Sequence, residues 1–364
     1  MAIGQGALEN MEITKDFWSG KRILVTGHTG FKGGWLSLWL QSLNANVAGF
    51  ALKPSTEPNL FQVANIAAGM RSFIGDIRNF EELNGVVNSF QPEIIFHLAA
   101  QPLVRYSYEN PVETYATNVM GTVHLLEAAR HTGSVKAIVN ITSDKCYENK
   151  EWVWGYRENE PMGGHDPYSN SKGCAELVTS AYRLSYMSEN QGIALASARA
   201  GNVIGGGDWS SDRLIPDILQ SISNNQVALL RSPNAIRPWQ HVLEPLNGYL
   251  MLAQALYEKG QEYAEAWNFG PGDSGAQTVE WITKTMVNHW GGSASYRINE
   301  AATTLHEAHL LKLDCSKARS LLKWHPKWDI TQSIEKICSW HKAYLEGNNM
   351  REYCLDEIKQ YSNS

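Results

Sequence analysis

The sequence has no apolar stretch long enough to cross a membrane, and it has few cysteines. A spanning helix needs about 20 predominantly apolar residues, and the 364-residue chain contains no such run. The five cysteines are odd in number and scattered without a CxxC pair, so we expect neither a disulfide framework nor a metal site. A reducing, cytoplasmic location fits this cysteine usage best.

Basic residues are also in the minority. Lys and Arg number 31 against 37 Asp and Glu, which gives a formal net charge of -6. A mildly acidic surface argues against nucleic acid or an anionic membrane as a partner. The first eighteen residues lack a basic segment followed by an apolar one, so they predict no secretory signal. Met11 offers an alternative start.

Length and periodicity predict one large α/β domain with a smaller lobe. Short β-branched runs alternate with helical segments over the first two hundred residues, which indicates a parallel sheet covered on both faces. We therefore expect a Rossmann-type doubly wound sheet over residues 1–200, with a returning segment at 240–270. Residues 201–364 form the predicted smaller α/β lobe, which closes with an amphipathic helix around 334–345. Strands are predicted at 22–26, 46–51, 72–75, 94–98, 136–142 and 194–199, and helices at 31–43, 79–89, 112–130 and 169–187.

The first predicted strand runs into the sequence TGHTGFKGG. Gly27, Gly30 and Gly33 stand three residues apart between strand and helix, where glycine permits a tight turn and close approach of a pyrophosphate. The helix N-terminus then offers N–H groups to the phosphates. A glycine-rich turn without function is the alternative, but the position favours a dinucleotide site that also includes Phe31 and Lys32.

The sequence leaves the choice of dinucleotide open between NAD and NADP. No acidic residue stands about 20 residues after the glycines, where enzymes selective for NAD usually place one. Lys53 either faces a 2′-phosphate or is a solvated surface lysine. Asp76, followed by Ile77, suits a position near the adenine; a helix N-cap is the alternative for Asp76.

Tyr168 and Lys172 form a Tyr-x-x-x-Lys pair near the start of a predicted helix, so both side chains lie on one face. The neighbouring ammonium should favour the phenolate and allow Tyr168 to accept a proton near neutral pH. The preceding predicted strand ends in Ser143, Asp144 and Lys145. Because ligands bind at the carboxyl ends of parallel strands, these groups are placed for proton handling. A capped turn is the alternative.

Several segments together resemble the extended short-chain dehydrogenase/reductases that act on nucleotide sugars, and the match covers nearly the whole chain in order. The resemblance implies NAD as cofactor, with Leu98, Ala99 and Ala100 lining its site beside Tyr168 and Lys172. The segments that carry it are TGHTGFKGG, HLAAQ, TNVMGT, TSDKCY, YSNSK, ARAGNVIGGGDW and RPWQHV.

Within this family the resemblance is to the 4,6-dehydratases, whose dTDP- and GDP-sugar members carry Thr-Asp-Glu where this chain has Ser143, Asp144 and Lys145. The lysine implies CDP-glucose as substrate, and a 4-keto-6-deoxy product used for dideoxysugars of bacterial lipopolysaccharide. Tyr168 would take the 4-hydroxyl proton and Asp144 would protonate the departing 6-hydroxyl. Lys145 is a candidate for the C5 base, alone or by tuning Asp144.

The resemblance also implies substrate-binding residues and an assembly. Asn202 and Arg237, with Arg213, would hold the diphosphate, and the helices carrying Thr122 and Tyr168 would form a homodimer or a tetramer. The alternatives are a 4,6-dehydratase for a dTDP- or GDP-sugar, a nucleotide-sugar 4-epimerase or simple reductase, and a dinucleotide-sensing regulator. An epimerase or reductase would need no acid such as Asp144, and a regulator would be expected to lose Tyr168 or Lys172.

Overall fold

The computed structural model describes residues 13–187, 192–299 and 311–364, so Met11 lies outside the described residues. The main strands are β1 (Arg22–Thr26), β2 (Asn46–Ala51), β3 (Arg71–Ile74), β4 (Ile94–His97), β5 (Ala137–Ile141) and β6 (Ala194–Arg199). Shorter strands follow: β7 (Val203–Ile204), β8 (Ala228–Leu230), β9 (Ile236–Pro238), β10 (Gln240–His241), β11 (Ala266–Asn268), β12 (Ala276–Thr278) and β13 (Tyr296–Ile298).

The helices occupy most of the chain between and after these strands. They are α1 (Lys15–Trp18), α2 (Phe31–Ser42), α3 (Leu60–Val63), α4 (Phe80–Phe90), α5 (Val104–Glu109), α6 (Pro111–Tyr115), α7 (Gly121–Arg130), α8 (Pro167–Ser185), α9 (Leu214–Ser223), α10 (Leu243–Lys259), α11 (Val279–Trp290), α12 (Ile330–Leu345) and α13 (Met350–Ser362). A π-helical segment, Ala116–Met120, joins α6 to α7, so the predicted helix at 112–130 is continuous.

Seven of the strands form one parallel sheet in the order β11-β6-β5-β4-β1-β2-β3. Strands β1, β4, β5 and β6 are buried on both faces, and alternate residues enter different cores. Ile23 and Val25 join the cluster beneath α2 and α10, whereas Leu24 joins the cluster beneath α4 and α7. Near-continuous apolar strands are what such a doubly covered sheet requires. The predicted Rossmann-type α/β class is confirmed.

The chain returns to this sheet after leaving it. Helix α10 packs on β5 and β6, and β11 then pairs in parallel with β6 at the edge of the sheet. Alanines 194, 196 and 198 of β6 face the same core as α10, and their small side chains allow the helix to approach closely. A third apolar cluster lies among α9, α11 and α12, beside the paired short strands.

The predicted closing helix at 334–345 ends where expected, at Leu345, but its start needs a correction, and it is not the last helix. Helix α12 begins earlier, at Ile330, because Asp329 and Gln332 form a reciprocal capping box there. A further helix, α13, follows it, capped by Asn349 and docked through Met350, Cys354, Ile358 and Tyr361. The apolar spacing of four, four and three residues is the helical signal for α13.

Two negative features of the composition have structural counterparts. Across the ranges that the structure describes, no helix combines the length and the apolar character that a membrane crossing demands. All five cysteines, Cys146, Cys174, Cys315, Cys338 and Cys354, are free thiols.

Candidate active site

The glycine-rich segment between β1 and α2 leaves no space for a side chain at Gly27 or Gly33. Gly27 has a φ of +77°, and a Cβ added there would lie 2.8 Å from the backbone nitrogen of Ala99. A Cβ on Gly33 would lie 2.1 Å from the carbonyl oxygen of Gly27. Gly30 is the N-cap of α2. The turn and the helix start therefore form a backbone cradle, which fits the diphosphate of a dinucleotide.

The loop after β4 is fixed to the end of β1 through one hydroxyl. The Oγ1 of Thr26 lies 2.7 Å from Nδ1 of His97 and accepts the backbone N–H groups of Leu98 and Ala99 at 3.2 Å each. His97 Nε2 lies 3.3 Å from the Oγ1 of Thr122. Burial lowers the pKa of His97 to about 3, and the charge of Lys172 adds to the decrease. The ring is therefore neutral and has a structural role between the two hydroxyls.

Asn118 holds the same loop from its other side. Its Oδ1 accepts the backbone N–H of Gln101 at 2.8 Å, and its Nδ2 donates to the Gln101 carbonyl at 3.1 Å. Nδ2 also donates to the Oγ of Ser171 on α8 at 2.8 Å. Ala100 therefore lies between two clamped residues. Sequence reasoning noted the TNVMGT segment but missed this function of Asn118.

At the far end of the cradle, Asp76 is ion-paired with Arg78 at 2.6 Å. Hydrogen bonds from Arg78 hold the pKa of this carboxyl below its ordinary value. The N-cap of α4 is Asn79, so the alternative of Asp76 as that cap does not apply. Ile77 is buried, and a Cβ on Gly121 would lie 2.8 Å from its Cγ2.

His28 occupies the region at the end of β2, where an acidic residue was absent from the sequence. A Cβ on Gly49 would lie 2.2 Å from the His28 ring, and His28 Nε2 lies 2.7 Å from the Ser72 hydroxyl. Burial lowers the pKa of His28 to about 4. Lys53 is exposed. This geometry favours neither NAD nor NADP.

The predicted proton-handling groups meet at the end of β5. Asp166 caps α8 by accepting the Ser169 N–H at 2.9 Å, which places Tyr168 and Lys172 on the first turns of the helix. The Ser143 hydroxyl donates to Asp144 Oδ1 at 2.9 Å, and the Ser143 side chain lies close enough to the Tyr168 phenol to lower its pKa. A hydroxyl, a carboxylate and a phenol are thus gathered at one place.

The expectation of a lowered Tyr168 pKa is wrong for the protein alone. Burial raises the pKa of Tyr168 to about 12, and the hydrogen bond to Ser143 and the charge of Arg213 offset this only in part. Burial also lowers the pKa of Lys172 to about 8. Both groups are enclosed, and the cost of removing a phenolate or an ammonium from water outweighs the nearby charges.

Asp144 has one carboxylate oxygen in use and one without a partner. Oδ2 is buried and accepts no hydrogen bond from any described residue. A Cβ on Gly201 would lie 1.8 Å from that oxygen, so only glycine fits opposite it. Lys145 is half-buried beside it, and its backbone N–H donates to the Ser143 Oγ at 3.2 Å.

Lys32 reaches the same centre from α2. Its ammonium lies 3.4 Å from the Tyr249 hydroxyl. Burial lowers the pKa of Lys32 to about 7; the charges of Lys172 and Arg213 lower it further, and Asp144 opposes them. Three cationic side chains therefore converge near one carboxylate. Phe31, the residue before Lys32, packs against Gly205.

The three predicted diphosphate residues lie at different places. Arg213 is within electrostatic range of Tyr168 and lies 3.4 Å from Asp208. Asn202 has a left-handed backbone, with φ of +46°, at the turn before β7. Arg237 is half-buried on β9, opposite Gln277 of β12, and donates to the Ile236 carbonyl at 3.0 Å. The structure thus brings Arg213 to the catalytic groups.

Sequence reasoning missed a buried ion pair beneath the catalytic residues. Glu176 and Arg199 lie 2.8 Å apart, and each side chain is only 4% exposed. The available signal was the spacing, because Glu176 follows Lys172 by one helical turn. Among the described residues, no three or more His, Cys, Asp or Glu side chains are grouped as metal ligands.

Comparison with known proteins matches the chain to one enzyme family over most of its length. The family model described as GDP-mannose 4,6 dehydratase matches residues 24–337. The CDP-glucose 4,6-dehydratase of Salmonella typhimurium is 60% identical over 353 residues, which cover 96% of this chain and 98% of that protein.

Solved structures share the fold at much lower identity. The UDP-glucose 4-epimerase of Thermotoga maritima, solved with UDP-glucose, superposes with a TM-score of 0.75 at 22% identity, covering 89% of this chain and 99% of that one. The dTDP-glucose 4,6-dehydratase DesIV of Streptomyces venezuelae, solved with NAD and TYD, gives 0.74 at 23% identity, covering 90% and 98%. These likenesses concern the fold alone.

The cradle predicts a sharp difference between two glycines. Gly33→Ala should weaken NAD binding about tenfold or more, because overpacking against the Gly27 carbonyl costs about 1–3 kcal/mol. Gly85→Ala, on the exposed face of α4 with nothing within 4 Å, should leave binding unchanged. Isothermal titration with NAD measures both. Equal dissociation constants for the two variants would place the dinucleotide elsewhere.

Proposed function

The chain belongs to the GDP-mannose 4,6 dehydratase family, within the extended short-chain dehydrogenase/reductases, and we propose that it converts CDP-D-glucose into CDP-4-keto-6-deoxy-D-glucose. The observation that carries the proposal is the 60% identity to the Salmonella CDP-glucose 4,6-dehydratase over nearly the full length of both chains. The product class suits the assembly of dideoxysugars for lipopolysaccharide. Residues 201–364 form the proposed lobe that binds the sugar nucleotide.

We infer that NAD is the cofactor, held by the glycine cradle and by the clamped loop at Leu98, Ala99 and Ala100. When bound, this cofactor would supply the hydride chemistry of the reaction: uptake of a hydride from the sugar C4 and its return to C6. The cradle supports this assignment because a Cβ on Gly27 or Gly33 would meet backbone atoms at 2.8 Å or less. Relatives of this fold, such as DesIV, were solved with NAD.

Tyr168 takes the proton from the 4-hydroxyl in the oxidation step, and Ser143 hydrogen-bonds the 4-oxygen. Two features support these roles. The Ser143 hydroxyl lies close enough to the phenol to lower its pKa, and the charge of Arg213 also favours the phenolate that must form. Water is excluded because both catalytic side chains on α8 are buried.

Asp144 protonates the departing 6-hydroxyl in the elimination step. Of its two carboxylate oxygens, Oδ2 has no hydrogen-bond partner among the described residues, whereas Oδ1 accepts the Ser143 hydroxyl. Lys145, next in sequence, removes the C5 proton or tunes Asp144 and a water that does so. The new ketone at C4 makes that proton acidic, so a modest base suffices.

The diphosphate is bound by Arg213, Arg237 and Asn202. Arg213 reaches the catalytic centre, and guanidinium groups hold phosphate oxygens in bidentate pairs. Arg237 and Asn202, from β9 and from the turn before β7, complete the proposed set. Lys32, which interacts electrostatically with Arg213, adds positive charge.

We propose that the enzyme is a homodimer, alone or within a tetramer, formed through α6, α7 and α8. Large apolar side chains on these helices face solvent in the single chain: Val112 is 82% exposed and Leu184 is 80% exposed. Met120, directly before α7, and Leu177 of α8 are exposed as well. Exposed apolar side chains that together form a patch mark association sites.

The reaction is tested by incubating the protein and NAD with CDP-, dTDP-, GDP- and UDP-glucose in parallel. The expected result is a product lighter by one water from CDP-glucose, with little or none from the others, detected by mass spectrometry. A product of unchanged mass with inverted C4 would instead establish a 4-epimerase. Water loss from a different nucleotide sugar would overturn the CDP assignment.

Asp144→Asn and Lys145→Met should separate elimination from oxidation. The amide of Asp144→Asn cannot supply the proton that the 6-hydroxyl needs, so reduced nicotinamide should accumulate after rapid mixing and fail to decay.

Lys145→Met should oxidise C4 yet exchange the C5 proton with deuterated solvent more slowly. Tyr168→Phe is the control, since oxidation itself should slow about 10²–10⁴-fold. Full cycling by Asp144→Asn, or deuterium uptake by Lys145→Met at the parent rate, would remove that residue from its role.

Leu184→Glu should dissociate the proposed dimer, because a charge cannot be buried unpaired in an apolar interface. Leu345→Glu changes a comparably exposed leucine at the end of α12 and should leave the assembly intact. Sedimentation velocity of both variants at equal concentration provides the measurement. A monomeric parent protein, or an unchanged mass for Leu184→Glu, would show that α8 is not the interface.

A further inference from the structure

The helix that carries the catalytic pair presents a third ionisable side chain on the same face. Tyr168, Lys172 and Glu176 follow one another at intervals of four residues, so they lie in a row along α8. Glu176 is buried like the other two, and both of its carboxylate oxygens accept hydrogen bonds from protein groups. It is therefore not free to act as an acid or a base.

One oxygen of Glu176 holds the end of strand β5. The Thr142 hydroxyl donates to Glu176 Oε1 at 2.5 Å. Thr142 is the residue directly before Ser143, and its own backbone N–H donates to the Ala198 carbonyl at 3.0 Å. The position of the Ser143 hydroxyl relative to α8 therefore depends on a bond made by Glu176.

The other oxygen joins the neighbouring strand. Glu176 Oε2 accepts the Ser197 hydroxyl at 2.7 Å and Arg199 Nη2 at 2.8 Å, both from β6. Arg199 is itself anchored, because its Nη1 donates to the Tyr147 hydroxyl at 2.7 Å and to the Glu158 carbonyl at 2.9 Å. The carboxylate thus ties β5, β6 and α8 at one point.

We propose that Glu176 is a positioning residue for the oxidation step: it fixes Ser143 opposite Tyr168 through Thr142 and stabilises the ammonium form of Lys172. The inference deepens the proposed function and rests on it, since it concerns the same C4 oxidation. Glu176 touches neither substrate nor cofactor in this role, and it acts through the residues it holds.

The charges around Lys172 support the electrostatic half of this role. The titratable groups that face it are Lys32 from α2, His97 from β4, Cys146 from the turn after β5, and Glu176 from its own helix. Burial keeps His97 neutral, with a pKa of about 3, and burial raises the pKa of the Cys146 thiol well above its ordinary value. Of these four groups, Glu176 alone supplies a negative charge near neutral pH.

Glu176 keeps that charge despite its burial. Burial alone would raise its pKa, but the charge of Arg199 and the hydrogen bonds from Arg199, Thr142 and Ser197 bring the pKa below its ordinary value. The carboxylate therefore stays ionised over the working range of the enzyme. Because an adjacent negative charge favours the protonated amine, loss of Glu176 should let Lys172 lose its proton at lower pH.

The test compares Glu176→Gln with Thr142→Val, measured as the rate of C4 oxidation in single turnovers across pH. Glu176→Gln should slow oxidation about 10- to 100-fold, the effect of a small misplacement, with KM for CDP-glucose unchanged. The alkaline limb of its pH–rate profile, where the oxidation rate falls as Lys172 loses its proton, should move to lower pH by about one unit. Thr142→Val removes the strand contact but no charge, so it should slow oxidation without moving the limb.

A second variant guards against misfolding, because Glu176→Gln leaves Arg199 as an unpaired buried cation. Glu176→Gln/Arg199→Met removes both charges, a change that buried pairs often tolerate. Its alkaline limb should lie below that of the parent but above that of the single variant. Glu265→Gln changes an exposed carboxylate paired with Lys317 and should leave rate and profile unchanged. Thermal unfolding by circular dichroism establishes that each variant is folded.

The outcomes separate this inference from the proposed reaction. If the parent protein dehydrates CDP-glucose and folded Glu176 variants keep its rate and its alkaline limb, the positioning role of Glu176 is wrong and the reaction stands. If Glu176→Gln slows oxidation without moving the limb, the electrostatic half is wrong. A parent protein that fails to dehydrate CDP-glucose overturns the function itself, whatever the Glu176 variants do.

Discussion

The site depends on one geometric constraint: in a parallel sheet, all strands point the same way, so their carboxyl ends lie along one side of the sheet. Strands β1, β4, β5 and β6 lie side by side in that sheet, so the groups that follow them are brought together although they are far apart in sequence. The glycine turn follows β1, the clamped loop follows β4, and Ser143 follows β5. Ligands bind at such an edge where the strand order reverses, here between β1 and β4.

Gathering these groups at one enclosed edge has an electrostatic cost. Lys32 and Lys172 are deprived of water, and their pKa values fall to about 7 and about 8, chiefly through burial. The same burial raises that of Tyr168 to about 12. Each group is thus biased toward its neutral form in the protein alone. An anionic diphosphate near the lysines and a cationic nicotinamide near the phenol would both favour the charged forms.

Sequence patterns were sufficient for features that depend on local periodicity. The glycine spacing, the first six strands and the Tyr168–Lys172 pair all follow from residues near one another in the chain, and the structure places them as expected. The protonation of Tyr168 was not predictable in the same way, because it depends on enclosure by distant segments. The Glu176–Arg199 pair spans 23 residues and two elements; the spacing from Lys172 places Glu176 on the catalytic face of its helix, but nothing in that segment reveals Arg199 as its partner. Helix α13 does follow from local periodicity, because its apolar residues are spaced by four, four and three positions.

The hydrogen bonds around Ser143 constrain the order of proton movements. A serine hydroxyl has one proton, and Ser143 directs it to Asp144 Oδ1. The same hydroxyl lies close enough to Tyr168 to lower the pKa of the phenol, and one proton cannot serve two acceptors at once. In the proposed reaction, Ser143 would therefore turn its proton from Asp144 towards the phenolate or the 4-oxygen when C4 is oxidised. Asp144 Oδ1 would then be released by Ser143, while Oδ2, which has no partner among the described residues, would face no competitor for the 6-hydroxyl. One serine would thereby link the proposed base of the first half-reaction to the proposed acid of the second.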